Sequence, residues 1–134
     1  MSKYARSSTE FTDADLLVES LLDLGYLVEH HMKAEKLNGW LNNSRAEIII
    51  RKNELDGAHA DIGFRLDNKS GTYTMLADED DMRNYGYGRV WVNKVKATYR
   101  EKATIQTATQ RLGLRFVSST IDDNGKTRLE FLKI

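Results

Sequence analysis

The chain has 134 residues, 20 Lys+Arg against 20 Asp+Glu, 40% hydrophobic residues, and neither cysteine nor proline. That length predicts one domain large enough to bury most of its apolar surface unaided. The composition excludes a disulfide scaffold, a cysteine-based zinc or iron–sulfur site, a thiol nucleophile and a uniformly basic nucleic-acid binder.

Residues 1–11 are polar and read as a flexible N-terminal arm, ahead of a single α+β domain over 12–134. Thr12 is placed to cap a first helix, with Asp15 as capping-box partner and Asp13 favouring the helix N-terminus. Ala14, Leu17, Val18, Leu21 and Leu24 recur at helical spacing, Asp15, Glu19 and Asp23 lie opposite, and Gly25 suits a left-handed C-terminal cap. Alternation over Tyr26–Lys33 predicts a strand. Ala34–Ser44, polar and Asn-rich around Gly39 and Trp40, reads as a loop or short hairpin.

Ala46–Lys52 contains Ile48-Ile49-Ile50, a β-branched run with strong strand preference. His59–Asp67 and Thr72–Asp78 are two further strands joined by Asn68-Lys69-Ser70-Gly71. The acidic Asp78–Asp81 and the Tyr85-Gly86-Tyr87-Gly88 segment lead into a long helix from about Arg89 to Leu112. Its apolar face runs through Trp91, Val95, Thr98, Ile105, Thr109 and Leu112. Leu114–Ile121 and Lys126–Ile134 form a hairpin about Asp122-Asp123-Asn124-Gly125. The order α-β-β-β-β-α-β-β predicts a mainly antiparallel sheet of about five to six strands with two helices on one face.

No apolar run exceeds three residues, whereas a membrane helix needs about 20. With no signal-peptide core, myristoylation site or prenylation site, the sequence reads as soluble and cytoplasmic, without membrane attachment. Average usage would give about seven prolines in a chain of this length, so Gly, Asn and Asp must make the turns.

The chemistry-bearing residues are few. His30 and His31 are adjacent, so on a strand they point to opposite faces. His59 and Asp61 share a strand face and offer two metal ligands, fewer than a zinc site requires. A metal-assisted hydrolase reading would join His59, Asp61 and Asp78. The acids at 78–81 lack the spacing of a calcium loop, and neither a nucleophile elbow nor a phosphate loop is present. No catalytic residue, metal ligand set or cofactor is therefore assigned.

Two features point to binding. At Arg83–Arg89, glycines beside Tyr85 and Tyr87 open into a helix N-terminus bracketed by Arg83 and Arg89, a pattern suited to a nucleotide or other anionic metabolite. Trp40 or Tyr73 would supply stacking. Along the long helix, Arg89, Lys96, Arg100 and Arg111 fall on one stripe opposite the apolar face, flanked by Lys94 and Lys102, with Glu101 the only acid between Arg89 and Leu112. Lys96, Arg100 and Arg111 are candidates for contact with an acidic partner; nucleic-acid binding would further need base-reading groups that the pattern does not supply.

Leu21–Tyr26, Ala60-Asp61-Ile62-Gly63-Phe64, Gly71-Thr72-Tyr73 leading to Ala77-Asp78, the helix around Val95–Tyr99, and Leu112-Gly113-Leu114-Arg115-Phe116 occur in the order found in one family. Over residues 12–134 the chain resembles the uncharacterised family encoded in plastids and cyanobacteria as hypothetical chloroplast reading frame thirty-five, a domain of unknown function. The resemblance implies a small α+β protein that is not evidently an enzyme, and it assigns no catalytic residues. The chain departs from the family over Ala34–Ser44.

The sequence thus predicts a non-catalytic binding module, a protein–protein adaptor or homo-oligomer, with a small anionic ligand as the alternative. Its neutrality is divided: residues 1–67 hold 8 basic and 12 acidic side chains, residues 68–134 hold 12 and 8.

Overall fold

A computed structural model describes residues 4–39 and 43–133. They fall into two compact units divided between Lys96 and Ala97. The elements are β1 (Tyr4–Ser8), α1 (Ala14–Asp23), β2 (Glu29–Lys36), β3 (Arg45–Ile50), β4 (Ile62–Leu66), β5 (Tyr73–Asp78), α2 (Glu79–Asn84), α3 (Arg89–Gln110), β6 (Leu114–Ile121) and β7 (Thr127–Lys133). The α+β class and the antiparallel pairing are as the sequence predicts. The last hairpin is a sheet of its own, β6–β7, rather than part of the main sheet.

The main sheet has the order β1-β5-β4-β3-β2, with every neighbouring pair antiparallel. Strands β2 to β5 form a meander because turns connect them in sequence. Strand β1 corrects the expected flexible arm: Tyr4–Ser8 pairs with Asp78–Thr74 and forms an edge. Its polar composition gives no apolar alternation, as is usual for an edge strand facing water on one side.

The connection from β1 to β2 carries α1 from one edge of the sheet to the other. Phe11 packs edge-on to Phe64 at 6.1 Å, on the face where Ile48, Phe64 and Met75 stand opposite one another. Leu16, Leu17 and Leu21 are buried on α1. The helix is capped by Asp13, whose carboxylate accepts from the Leu16 amide at 3.2 Å; Thr12 is exposed, one residue too early for the role the sequence suggests. At the other end the amide of Gly25 bonds Leu22 O and that of Tyr26 bonds Leu21 O. This paired geometry requires a left-handed residue, and Gly25 supplies it at φ +99°.

Ile49, Gly63 and Leu76 lie on the opposite face of the sheet. That face is covered too, by Leu37, which clusters with Ala46, Ile49 and Leu76, with Tyr4 packed against them. Two buried faces explain why all of Ile48-Ile49-Ile50 is inside. Strand β2 begins later than the alternation suggests and runs to Lys36, three residues into the predicted loop, with a register shift between His30 and Glu35.

Strand β4 starts at Ile62 rather than His59, because the amides of His59 and Ala60 go to the Asp81 carboxylate instead of a ladder. The acidic run is the helix α2. Asp78 caps it by accepting from the amides of Asp80 and Asp81, and Glu79, Asp80 and Asp81 occupy a first turn that favours negative charge. Among the described residues no helix is long and apolar enough to cross a membrane.

Candidate functional site

The residues proposed for an anion at 83–89 have other occupations. Arg83 is paired with Asp80 at 2.6 Å. Tyr85 is partly exposed, its ring 5.4 Å from that of His59. Tyr87 is buried against Trp91, ring centroids 5.8 Å apart, and Trp91 in turn packs on Tyr26 and donates from Nε1 to its hydroxyl at 2.9 Å. Burial pushes the Tyr87 hydroxyl above its ordinary pKa. The Tyr-Gly-Tyr-Gly segment therefore anchors an aromatic trio and does not converge on one pocket. Tyr73 is buried as well; burial, then the charges of Glu47, Asp13 and Asp15, raise its pKa. Trp40 lies outside the described residues. Arg89 is exposed.

His59, Asp61 and Asp78 are likewise engaged, each by different partners. Asp78 caps α2. His59 Nδ1 contacts Asp81 Oδ1 at 3.1 Å, and Asp81, nearly fully buried, locks the loop before β4 to α2. Asp61, fully buried, accepts from the amides of Asn38 and Lys52, each at 2.7 Å, and from Arg51 Nη1 at 2.9 Å. Among the described residues no three potential metal ligands converge.

Arg51, which composition and spacing do not single out, is the hub of this region. Its guanidinium grips both oxygens of Glu29 at 2.8 and 2.9 Å while its third nitrogen holds Asp61 and the Lys36 carbonyl. The forked bond from Arg51, joined by a bond from His31, holds the Glu29 carboxyl down to a pKa of about 2. The Glu29 partnership, reinforced by Asp61, raises the Arg51 pKa above its ordinary value. The network ties β2 to the residue that precedes β4, and its role is architectural.

The surface that lacks such matching is in residues 97–133. There, Phe116 and Phe131 meet edge-on at 5.8 Å across the β6–β7 ladder, and Leu114, Phe116, Leu129 and Phe131 are half-buried. Leu112, expected in the core, is 66% exposed, as are Leu132 at 52% and Ile121 at 74%. A shallow apolar hollow of about 490 Å³ is lined by Ala103, Thr107, Ala108, Leu112, Leu114 and Phe131. Val117 sits at a register shift between Phe116 and Ser118 and is also exposed. Neither strand pairs with a third among the described residues, leaving two ladder edges. A lone hairpin buries too little to be self-sufficient, and clustered exposed apolar residues mark contact surfaces. Of the predicted partner-contact residues, Arg100 and Arg111 are exposed in this unit, and Lys96, half-buried, ends the preceding one.

These features define a small α+β protein with internally satisfied polar clusters and an unsatisfied apolar surface. Residues 20–130 match the model of the family described as Protein of unknown function (DUF1257), and the chain belongs to that family. No curated protein and no solved structure matches it.

Proposed function

We propose that this protein is a non-catalytic binding module that self-associates through residues 97–133, serving as an adaptor or homo-oligomer. The observation that carries this reading is the exposure of Leu112, Ile121 and Leu132 beside a two-stranded sheet with open edges. Strand edges recruit further strands, and an apolar patch next to one supplies the burial that makes such pairing stable.

Light scattering over a range of concentrations at low and high salt tests the proposal. The expected result is a mass of at least twice 15.4 kDa, falling toward the monomer in Leu132→Glu and Leu112→Glu variants whose circular dichroism is unchanged. A mass of one chain at every concentration and salt would overturn it.

A further inference from the structure

A second surface is independent of this one. The face of the main sheet that carries Ile49, Gly63 and Leu76 continues past its apolar cluster into an open groove of about 620 Å³. Arg6 of β1, Arg65 of β4, Thr74 and Leu76 of β5, and Asn68 and Lys69 of the β4–β5 turn line it. The register places them together: Arg6 stands opposite Leu76, and Arg65 opposite Thr74, so the two arginines flank β5 diagonally on one face. With strands about 4.8 Å apart and two residues of offset, their Cα atoms are separated by roughly 12 Å. Two extended arginine side chains can close most of that span from both sides.

Arg6, Arg65 and Lys69 make no ion pair or side-chain hydrogen bond among the described residues. This sets them apart from Arg51 and Arg83, which are matched by carboxylates. The one acid on the rim, Asp67, uses Oδ1 to accept from the Lys69 amide and so shapes the turn. Glu47, on β3, also lies close by, its carboxylate accepting from the amide of Leu66 at 3.0 Å. Three cations against two carboxylates leave the groove with a positive surplus, with the Thr74 hydroxyl and the Asn68 amide at hand as neutral donors. Guanidinium forks match phosphate oxygens in pairs, and a concave wall keeps a small ligand in reach of both forks.

We propose that this groove binds a small ligand bearing two or more linked phosphates, which Arg6 and Arg65 hold from opposite sides of β5 and Lys69 holds at the turn. Inorganic tripolyphosphate is the probe that tests the shared chemistry, with inorganic phosphate and a single-stranded oligonucleotide as comparison arms in calorimetric titration. Saturable one-to-one binding of tripolyphosphate, much tighter than that of phosphate, is expected. Loss of either arginine should weaken it about tenfold or more, the size of a lost charge-assisted hydrogen bond. Arg6→Ala and Arg65→Ala change exposed side chains, so the fold should persist, and Arg83→Ala should bind as the parent does. No saturable binding, equal binding by the Arg6→Ala/Arg65→Ala variant, or oligonucleotide affinity that rises with length and exceeds that of tripolyphosphate would each overturn the proposal. The oligomeric mass of the same variants keeps this test separate from that of self-association.

Discussion

Gly63 shows how one residue without a side chain can hold two layers of a sheet together. A Cβ there would lie 2.7 Å from that of Ala46 and 2.9 Å from both Leu37 methyls. Ala46 is fixed on a strand and cannot retreat, so Gly63→Ala should destabilise by about 2–3 kcal/mol, the usual scale of an overpacked core. Urea unfolding followed by tryptophan fluorescence checks this, and an unchanged midpoint would mean that the Leu37 segment yields freely. Leu37 itself was unremarkable in the sequence, inside a polar stretch read as a loop. Its full burial comes from the chain folding over the sheet, with the Leu37 amide bonded to Ser44 O and the Asp61 amide to Asn38 O.

Among the elements, α1 depends on its ends more than on its ten-residue length, which is too short to be stable alone. Asp13→Ala removes the acceptor for the Leu16 amide and should cost about 1 kcal/mol. A shift of that size in the midpoint of chemical unfolding is the expected reading, and an unchanged midpoint would show that the helix does not depend on this cap. Helix α2 has the reverse history: in the sequence its acids read only as a lead-in to the long helix, yet Asp78 makes them the first turn of a helix. Cap and loop contacts decided that outcome, through Asp81 holding the amides of His59 and Ala60. Spacing along the chain holds no record of an acceptor 21 residues away.

For the whole molecule, the Glu29–Arg51–Asp61 network links pH to folding. Glu29 has a folded pKa of about 2 against an ordinary 4.5. Between these values the unfolded chain binds more protons than the folded one, so stability rises with pH there. The contribution is fully present above about pH 4.5 and lost as pH falls toward 2. The Glu29 side chain is 40% exposed, so solvent screening reduces its worth to about 1 kcal/mol. Denaturation at pH 6 and pH 3 for the parent and Glu29→Gln should show a gap that narrows on acidification; a constant gap would separate this carboxyl from the acid sensitivity.

Net neutrality conceals two kinds of charge. Arg51, Glu29 and Asp61 are engaged with one another within the fold, whereas Arg6, Arg65 and Lys69 outnumber the two acids, Asp67 and Glu47, at an open groove. Pairing of that sort is set by strand register, which composition does not report.

Local chemistry alone determined the α+β class, the existence and order of β2 to β7, both principal helices and the Gly25 cap. Each follows from side-chain period, β-branching or the φ that only glycine adopts freely, and these act over a few residues. The edge strand β1, the second covered face of the sheet, the separation of β6–β7, and the partners of His59 and Asp61 were decided by tertiary structure. They depend on pairings between residues far apart in the chain, as when Tyr4 meets Asp78. Such pairings are selected by the burial and hydrogen bonding of the whole sheet, and no local pattern encodes them.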